Sequence, residues 1–282
     1  MTATKGPETR GRLYVVATPI GNLQDFSPRA IETLKQVNRI ACEDTRHTGK
    51  LLAHFGISTA TISYHDHNEE GRSKQLLGWL SQGESLALVS DAGTPVVSDP
   101  GYRLIRAARR ADLAVLPIPG PSAAMAALSV SGLPSDRFLF LGFPPKKRAA
   151  RKQALETVRP LSATLIWYLP PHRLAEQLLD IRTTLGDREA VLARELTKLH
   201  EETMWGRLSE IEVRIQRKAP LRGELTLVVA GADRDSESPP EIDVEAYLEG
   251  LITHRGLSRS AATSQAAREL NLPKRDLYRR SL

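Results

Sequence analysis

The chain has 282 residues, with 39 Lys and Arg against 33 Asp and Glu, a formal net charge of +6 and a single cysteine. That length is enough for two domains with proper cores, and 41% hydrophobic with 26% charged residues is a globular composition, which excludes large-scale disorder. Cys42 alone excludes an intrachain disulfide. Without a basic-then-apolar leader at the polar start, the chain reads as cytoplasmic. The long uncharged stretch from Leu113 to Ser135 is interrupted by Pro117, Pro119, Gly120 and Pro121, against a membrane span.

Short apolar runs alternate with amphipathic segments up to Pro117, which predicts strands crossing through helices into a mostly parallel sheet. Leu13 to Ala17 is the first strand. It runs into ATPIGN, residues 17–22, where Pro19 fixes the backbone and Gly21 with Asn22 allows a turn that presents backbone groups to a ligand. Ser27 and Pro28 open a helix with Ala30, Ile31, Leu34 and Val37 on one face, and Ile40 with Ala41 forms a second strand. Glu43, Asp44, Thr45, Arg46, His47 and Thr48 then set acid, hydroxyl and cation at a strand end. Asp44 or Thr45 serves equally well as the cap of the next helix. His65 and His67 flank Asp66 at a spacing that suits a surface turn better than a metal site. Asn68 caps a helix running through Leu76, Leu77 and Leu80 to a stop at Gly83.

The most informative segment follows: Leu86 to Gly101, LALVSDAGTPVVSDPG. Its apolar start suits a buried strand, and Gly93, Pro95, Pro100 and Gly101 forbid regular structure beyond it. Asp91 and Asp99 thus fall outside the carboxyl end of a strand, where open α/β sheets bind ligands. Asp99 before Pro100 also reads as a helix N-cap, with Arg109 and Arg110 closing that helix.

After Ala114 to Pro117, the junction Pro117 to Pro121 leads into a second domain. Its strands are Leu139 to Phe143, Thr164 to Tyr168, Ala190 to Ala193 and Leu225 to Val229. Lys146, Lys147, Arg148, Arg151 and Lys152 place five cations in seven residues after the turn Phe143, Pro144, Pro145. ARELTK (193–198) and RGELTL (222–227) each set a carboxylate beside a strand; a bland account makes Arg194 and Glu195 a local ion pair. Asp233 to Pro240 reads as a linker and the rest as helical, with seven basic residues against two acidic from Leu251 onward. Ala261, Ala262, Ala266 and Ala267 mark one short helix, and a turn at Asn271 to Pro273 precedes a second ending in Tyr278. Such a tail is either a helix-turn-helix-like unit or a helical flap with solvated charges.

No phosphate-binding GxxxxGK[ST], no GxGxxG after the first strand, no HExxH, no paired cysteines and no GxSxG occur, which argues against nucleotide hydrolysis, dinucleotide redox, zinc hydrolysis and serine esterase chemistry. TPIGNL, ACEDTRHTGKLL, HDHNE, SDAGTPxxSDPG, PGPSAA, GLPSDRF, ARELTK and RGELTL occur in this order. This series resembles the ribosomal RNA small subunit methyltransferase I family, a branch of the tetrapyrrole methylases, nearly end to end. The resemblance implies two α/β domains, here 1–118 and 119–232, holding S-adenosylmethionine in the cleft between them, usually as homodimers, with a helix-turn-helix-like extension at 233–282. It implies methylation of the ribose 2′-hydroxyl of a cytidine in the decoding region of 16S rRNA, with the RNA or the 30S subunit as partner. The family's cofactor contacts fall on Pro19, Asp91, Ala92, Gly93, Pro95, Ser98, Asp99, Ser122, Ala123, Leu196, Glu224, Leu225 and Thr226. One departure is Leu169, where the family tends to carry Glu.

A sulfonium donor brings its own activation, so the protein need supply mainly alignment, and neither a metal nor a covalent nucleophile is expected. Asp44, Arg46, Glu195, Lys198 and His200 are the candidates for polarising or deprotonating the acceptor hydroxyl. Lys146, Lys147, Arg148, Arg151, Lys152, Lys274 and Arg275 are the candidates for RNA phosphates. The alternatives are a tetrapyrrole C-methyltransferase, against which ATPIGN and the basic tail argue, and a non-catalytic RNA-binding assembly factor, against which the intact Asp91, Ser98 and Asp99 argue.

Overall fold

A computed structural model of the chain describes residues 11–218, 221–233 and 244–269. Chain contacts divide it into two compact units, Met1–Ala232 and Asp233–Leu282. The first opens with β1 (Arg12–Val16), α1 (Pro28–Gln36), β2 (Arg39–Cys42), α2 (Thr45–His54), β3 (Ala60–Ser63), α3 (Glu69–Ser81), β4 (Leu86–Leu88), α4 (Tyr102–Arg110) and β5 (Ala114–Ile118). These strands form one parallel sheet in the order β3-β2-β4-β1-β5. Parallel strands need crossovers, and the helices cover both faces. Ala30 and Leu34 of α1 pack with Ile40 and Ala87 on one side; Leu76, Leu80 and Leu104 pack with Leu13, Leu86 and Leu88 on the other. Ser27 caps α1 through its hydroxyl, which accepts from the Ala30 N–H at 3.1 Å. Cys42 is fully buried at the end of β2, and burial pushes its thiol up to about 11.

A second sheet comes from the remainder: α5 (Ala123–Ser131), β6 (Phe138–Phe140), α6 (Arg148–Val158), β7 (Thr164–Leu169), α7 (Leu174–Leu185), β8 (Glu189–Arg194), β9 (Glu202–Arg207), α8 (Leu208–Lys218) and β10 (Leu225–Val229). Its order is β6-β7-β10-β8-β9, with β6 parallel to β7 and the other pairs antiparallel. Ala124, Ala127 and Leu128 of α5 fill one face against Ile166, Val191 and Val228, while Leu155, Leu178 and Ile211 cover the other. β10 is buried along its whole length, as its unbroken LTLVV run requires.

The structure corrects the expectation for Asp99. The N-cap of α4 is Gly101, at φ 136°, and an added Cβ there would lie 2.7 Å from Leu88 Cδ2. The chain makes its turn two residues later than the sequence suggests, leaving the Asp99 carboxyl free of the helix. Asn68 does occupy the N-cap of α3, but its side chain turns back to accept from His65 N–H at 3.0 Å instead of capping.

In the second unit α9 (Val244–Arg255) and α10 (Arg259–Glu269) pack through Leu248, Leu251, Ala262 and Ala266. Arg255 pairs with Glu269 at 3.4 Å across them. The expected turn and second basic helix of the tail lie outside the described residues. Among those described, no helix is long and apolar enough to cross a membrane.

Candidate active site

β4 delivers Ser90 and Asp91 to the carboxyl edge of the first sheet, and the chain then folds back on itself. Thr18 and Gly93 exchange backbone hydrogen bonds at 2.9 and 3.1 Å, locking this loop to the one after β1. The Thr18 hydroxyl donates to Ser90 O at 3.1 Å and the Thr94 hydroxyl to Pro121 O at 3.0 Å. Gly93, Val96, Ser98 and Gly101 all have positive φ. For β-branched Val96, at 76°, this conformation costs on the order of 1–3 kcal/mol, a strain that the surrounding bonds must hold.

The two aspartates of the loop differ. Asp91 accepts the Asp44 backbone N–H at 3.2 Å. The Asp99 carboxyl is pushed up to about 6, mainly by burial, with Glu43 and Asp91 adding to the rise against a hydrogen bond from Ser90. Glu43 is raised too, by burial and by Asp91 and Asp66.

The facing wall comes from the second sheet and α5. The Tyr168 ring at the end of β7 lies edge-on to Phe140 and Phe143, with centroids 4.9 and 5.6 Å away, and burial pushes its phenol up. Ser122 and Ala123 start α5; Ser122 does not cap the helix, and its hydroxyl and the Ala124 N–H turn to the Tyr168 phenol. Between the walls lies a cleft of ≈ 430 Å³, floored by Ile20, Gly93 and Ser98 and closed by Leu169 to His172 and by Gly223 to Thr226. Its lining holds three carboxylates, Asp91, Asp99 and Glu224, and among the described residues no Lys or Arg. Such a cleft suits a cationic ligand and repels a polyphosphate.

Behind Glu224 sits a charge triad. Lys198 Nζ is 3.0 Å from Glu195 Oε1 and 3.3 Å from Glu224 Oε2, and Glu195 Oε1 also accepts the Glu224 N–H at 2.9 Å. Burial opposes charge on Glu195, but the Glu224 N–H and Lys198 hold its carboxyl below the usual range. The two halves touch here: a Cβ on Gly21 would lie 2.4 Å from Lys198 Cγ, and the Asn22 N–H donates to Thr197 Oγ1 at 3.0 Å. The Arg194–Glu195 pair of the bland account does not form; Arg194 pairs with Glu202 at 3.6 Å.

Of the expected cofactor residues, Asp91, Ala92, Gly93, Ser98, Asp99, Ser122, Ala123, Glu224, Leu225 and Thr226 all line this one cleft. Pro19 and Pro95 are buried beside it, outside the lining, and Leu196 packs against the α5 core. Sequence reasoning did not name Ile20, Thr94, Val97, Phe143, Gly223, Tyr168 or Pro170 to His172 as site residues. The strand ending at Tyr168 carried the signal for the last of these, since its loop must emerge at the same edge. Leu169, in place of the family's Glu, is buried in the second sheet's core.

The catalytic candidates do not converge. Asp44 caps α2, accepting from the Arg46 and His47 N–H groups at 2.8 and 3.4 Å, and these bonds hold its carboxyl low. Arg46 pairs with Asp44 at 3.3 Å and is largely exposed. Neither lines the cleft, nor do Glu195, Lys198 or the exposed His200. Lys146, Lys147 and Lys152 are exposed. Arg151 is a correction to the phosphate set: it is fully buried in ion pairs with Asp180 and Glu176, its Nε 2.9 Å from Asp180 Oδ2. Arg148 joins that network at 3.0 Å while staying part exposed. Lys274 and Arg275 lie outside the described residues.

An all-parallel sheet and a largely antiparallel one meet around an acidic cleft, the architecture of a two-sheet α/β protein with a ligand site between the sheets. Residues 12–212 match the family described as tetrapyrrole (corrin/porphyrin) methylases. The chain is 50% identical over 274 residues to the Ribosomal RNA small subunit methyltransferase I of Synechocystis sp., covering 96% of this chain and 98% of that protein. It is 45% identical over 276 residues to the protein of that name from Escherichia coli O157:H7, covering 97% and 96%. Two solved structures share the fold: uroporphyrin-III-C-methyltransferase from Thermus thermophilus (22% identity, TM-score 0.55, covering 78% of this chain and 94% of that one) and the methyltransferase CobJ (18%, 0.59, 79% and 95%). The chain therefore belongs to the tetrapyrrole methylase family, in its ribosomal RNA small subunit methyltransferase I branch, and it is a methyltransferase.

Proposed function

We propose that the protein transfers a methyl group from S-adenosylmethionine to the ribose 2′-hydroxyl of a cytidine in the decoding region of 16S rRNA, acting in the cytoplasm as a homodimer. The observation that carries the reading is the cleft lining, with three carboxylates and no Lys or Arg among the described residues. It fits a donor that carries a sulfonium and an ammonium, and misfits a nucleoside phosphate. Asp91 and Asp99 would hold the cationic end, and the N-terminus of α5 at Ser122 and Ala123, beside the Tyr168 phenol, would take the carboxylate. Leu225, Thr226 and Tyr168 would flank the apolar part of the cofactor. When bound, the cofactor supplies an electrophilic methyl group.

What this chain supplies is position. The double bond between Thr18 and Gly93, and the bond from Thr94 to Pro121, fix the loop before any ligand arrives. Tyr168 and Leu169 give the cleft wall its apolar surface. The charge triad behind Glu224 holds that carboxylate at the mouth. Lys146 and Lys147, both exposed, would meet phosphates of the RNA. The test is incubation with labelled S-adenosylmethionine and unmodified 16S RNA or 30S subunits, followed by nucleoside mass spectrometry. The expected product is 2′-O-methylcytidine; binding of the cofactor without transfer to either substrate overturns the reading.

A further inference from the structure

Phe143 is 56% exposed, yet it lines the cleft. One edge of the ring rests on Tyr168, with centroids 5.6 Å apart and planes at 61°, so the ring is held while most of it stays open. The backbone that follows is stiff. Pro144 and Pro145 fix their φ angles, Arg151 Nη1 donates to Pro145 O at 3.1 Å and Lys146 O at 3.3 Å, and Arg173 Nη1 donates to Lys146 O at 3.1 Å. Two arginines thus hold the carbonyls of two successive residues, Pro145 and Lys146. Lys146 and Lys147, at the end of that stretch, are exposed.

An ordered, open aromatic ring at the rim of a reaction cleft, with two exposed ammonium groups three and four residues along, matches what single-stranded RNA asks of a protein: a π-face for a base and cations for the backbone. We infer that Phe143 is the platform on which the base of the acceptor nucleotide stacks, with Lys146 and Lys147 on the adjoining phosphates; this rests on the rRNA reading above. A ribose hydroxyl presented to the cleft leaves its base to be held at the rim, where Phe143 is, with the smaller imidazole of His172, an exposed ring of the lining. The clamp by Arg151 and Arg173 pre-orders the platform, so binding does not have to order the loop.

The experiment compares Phe143→Ala, Phe143→Leu and Phe143→Trp in the full chain. Cofactor Kd is measured by calorimetry, and kcat and KM with unmodified 30S subunits. Expected are a cofactor Kd near that of the parent, a KM raised about tenfold in Phe143→Ala and nearly as much in Phe143→Leu, and recovery in Phe143→Trp. A Phe143→Leu KM equal to the parent's overturns the platform, because apolar bulk alone would then suffice. A cofactor Kd weakened as much as KM also overturns it, assigning the ring to the cofactor's own base. If the parent protein methylates no rRNA, the premise falls and the platform with it, an outcome seen in the control before any variant is assayed.

Discussion

The loop from Asp91 to Gly101 and the stretch from Phe143 to Lys152 both set charged side chains among turn residues, and they use that charge in opposite ways. In the first, Asp91 and Asp99 reach the cleft with backbone and hydroxyl donors but no basic partner among the described residues. In the second, Arg151 is sealed from solvent against Asp180 and Glu176, while Arg148 and the lysines face out. A charge left without a counter-ion at a cleft is held for a ligand, whereas a charge that has two is part of the frame.

The sharpest way to break this contrast is Arg151→Ala. It leaves the buried Asp180, whose carboxyl Arg151 and Arg148 hold low against the pull of burial, with Arg148 alone, and should cost about 3 kcal/mol in urea unfolding. A loss no larger than that of an exposed residue would make Arg151 surface-like. Asp91→Ala should leave the fold intact and weaken S-adenosylmethionine binding about 100-fold by calorimetry, the scale of one lost charge-assisted contact. Unchanged binding would remove Asp91 from the site. Lys146→Ala with Lys147→Ala should lower the slope of log affinity for 16S RNA against log salt by about 2, one for each phosphate contact. An unchanged slope would make those lysines solvated surface.

The smallest effect concerns Asp99. Its folded pKa of about 6 lies above the ordinary 3.8, so its contribution to stability is full below about pH 4 and is lost as pH rises through 6. Asp99→Asn should therefore melt about 2 °C higher than the parent near pH 8, with the difference closing near pH 4. Equal melting temperatures at both would show that the carboxyl is not strained by burial.

Strands whose residues are apolar without interruption, such as Leu86 to Leu88 and Leu225 to Val229, were legible because both faces are covered. β3 and β9 were not. Each is an edge strand: Ala60–Ser63 is polar and half exposed, and Glu202–Arg207 buries only Met204 and Gly206 on alternate positions. The cleft residues of the central loop could be read from a local pattern, since glycines and prolines announce where regular structure stops. The burial of Arg151 could not, because Asp180 lies 29 residues away on another helix. Nor could the release of Asp99 from capping, which depends on how closely Gly101 passes over Leu88.

Cys42 carries the chain's one thiol and sits two residues before Asp44, close to the edge where a methyl donor would be held. An electrophile that alkylates oxygen would alkylate a thiolate faster. With no exposed surface and a pKa of about 11, the sulfur stays protonated and out of reach at neutral pH.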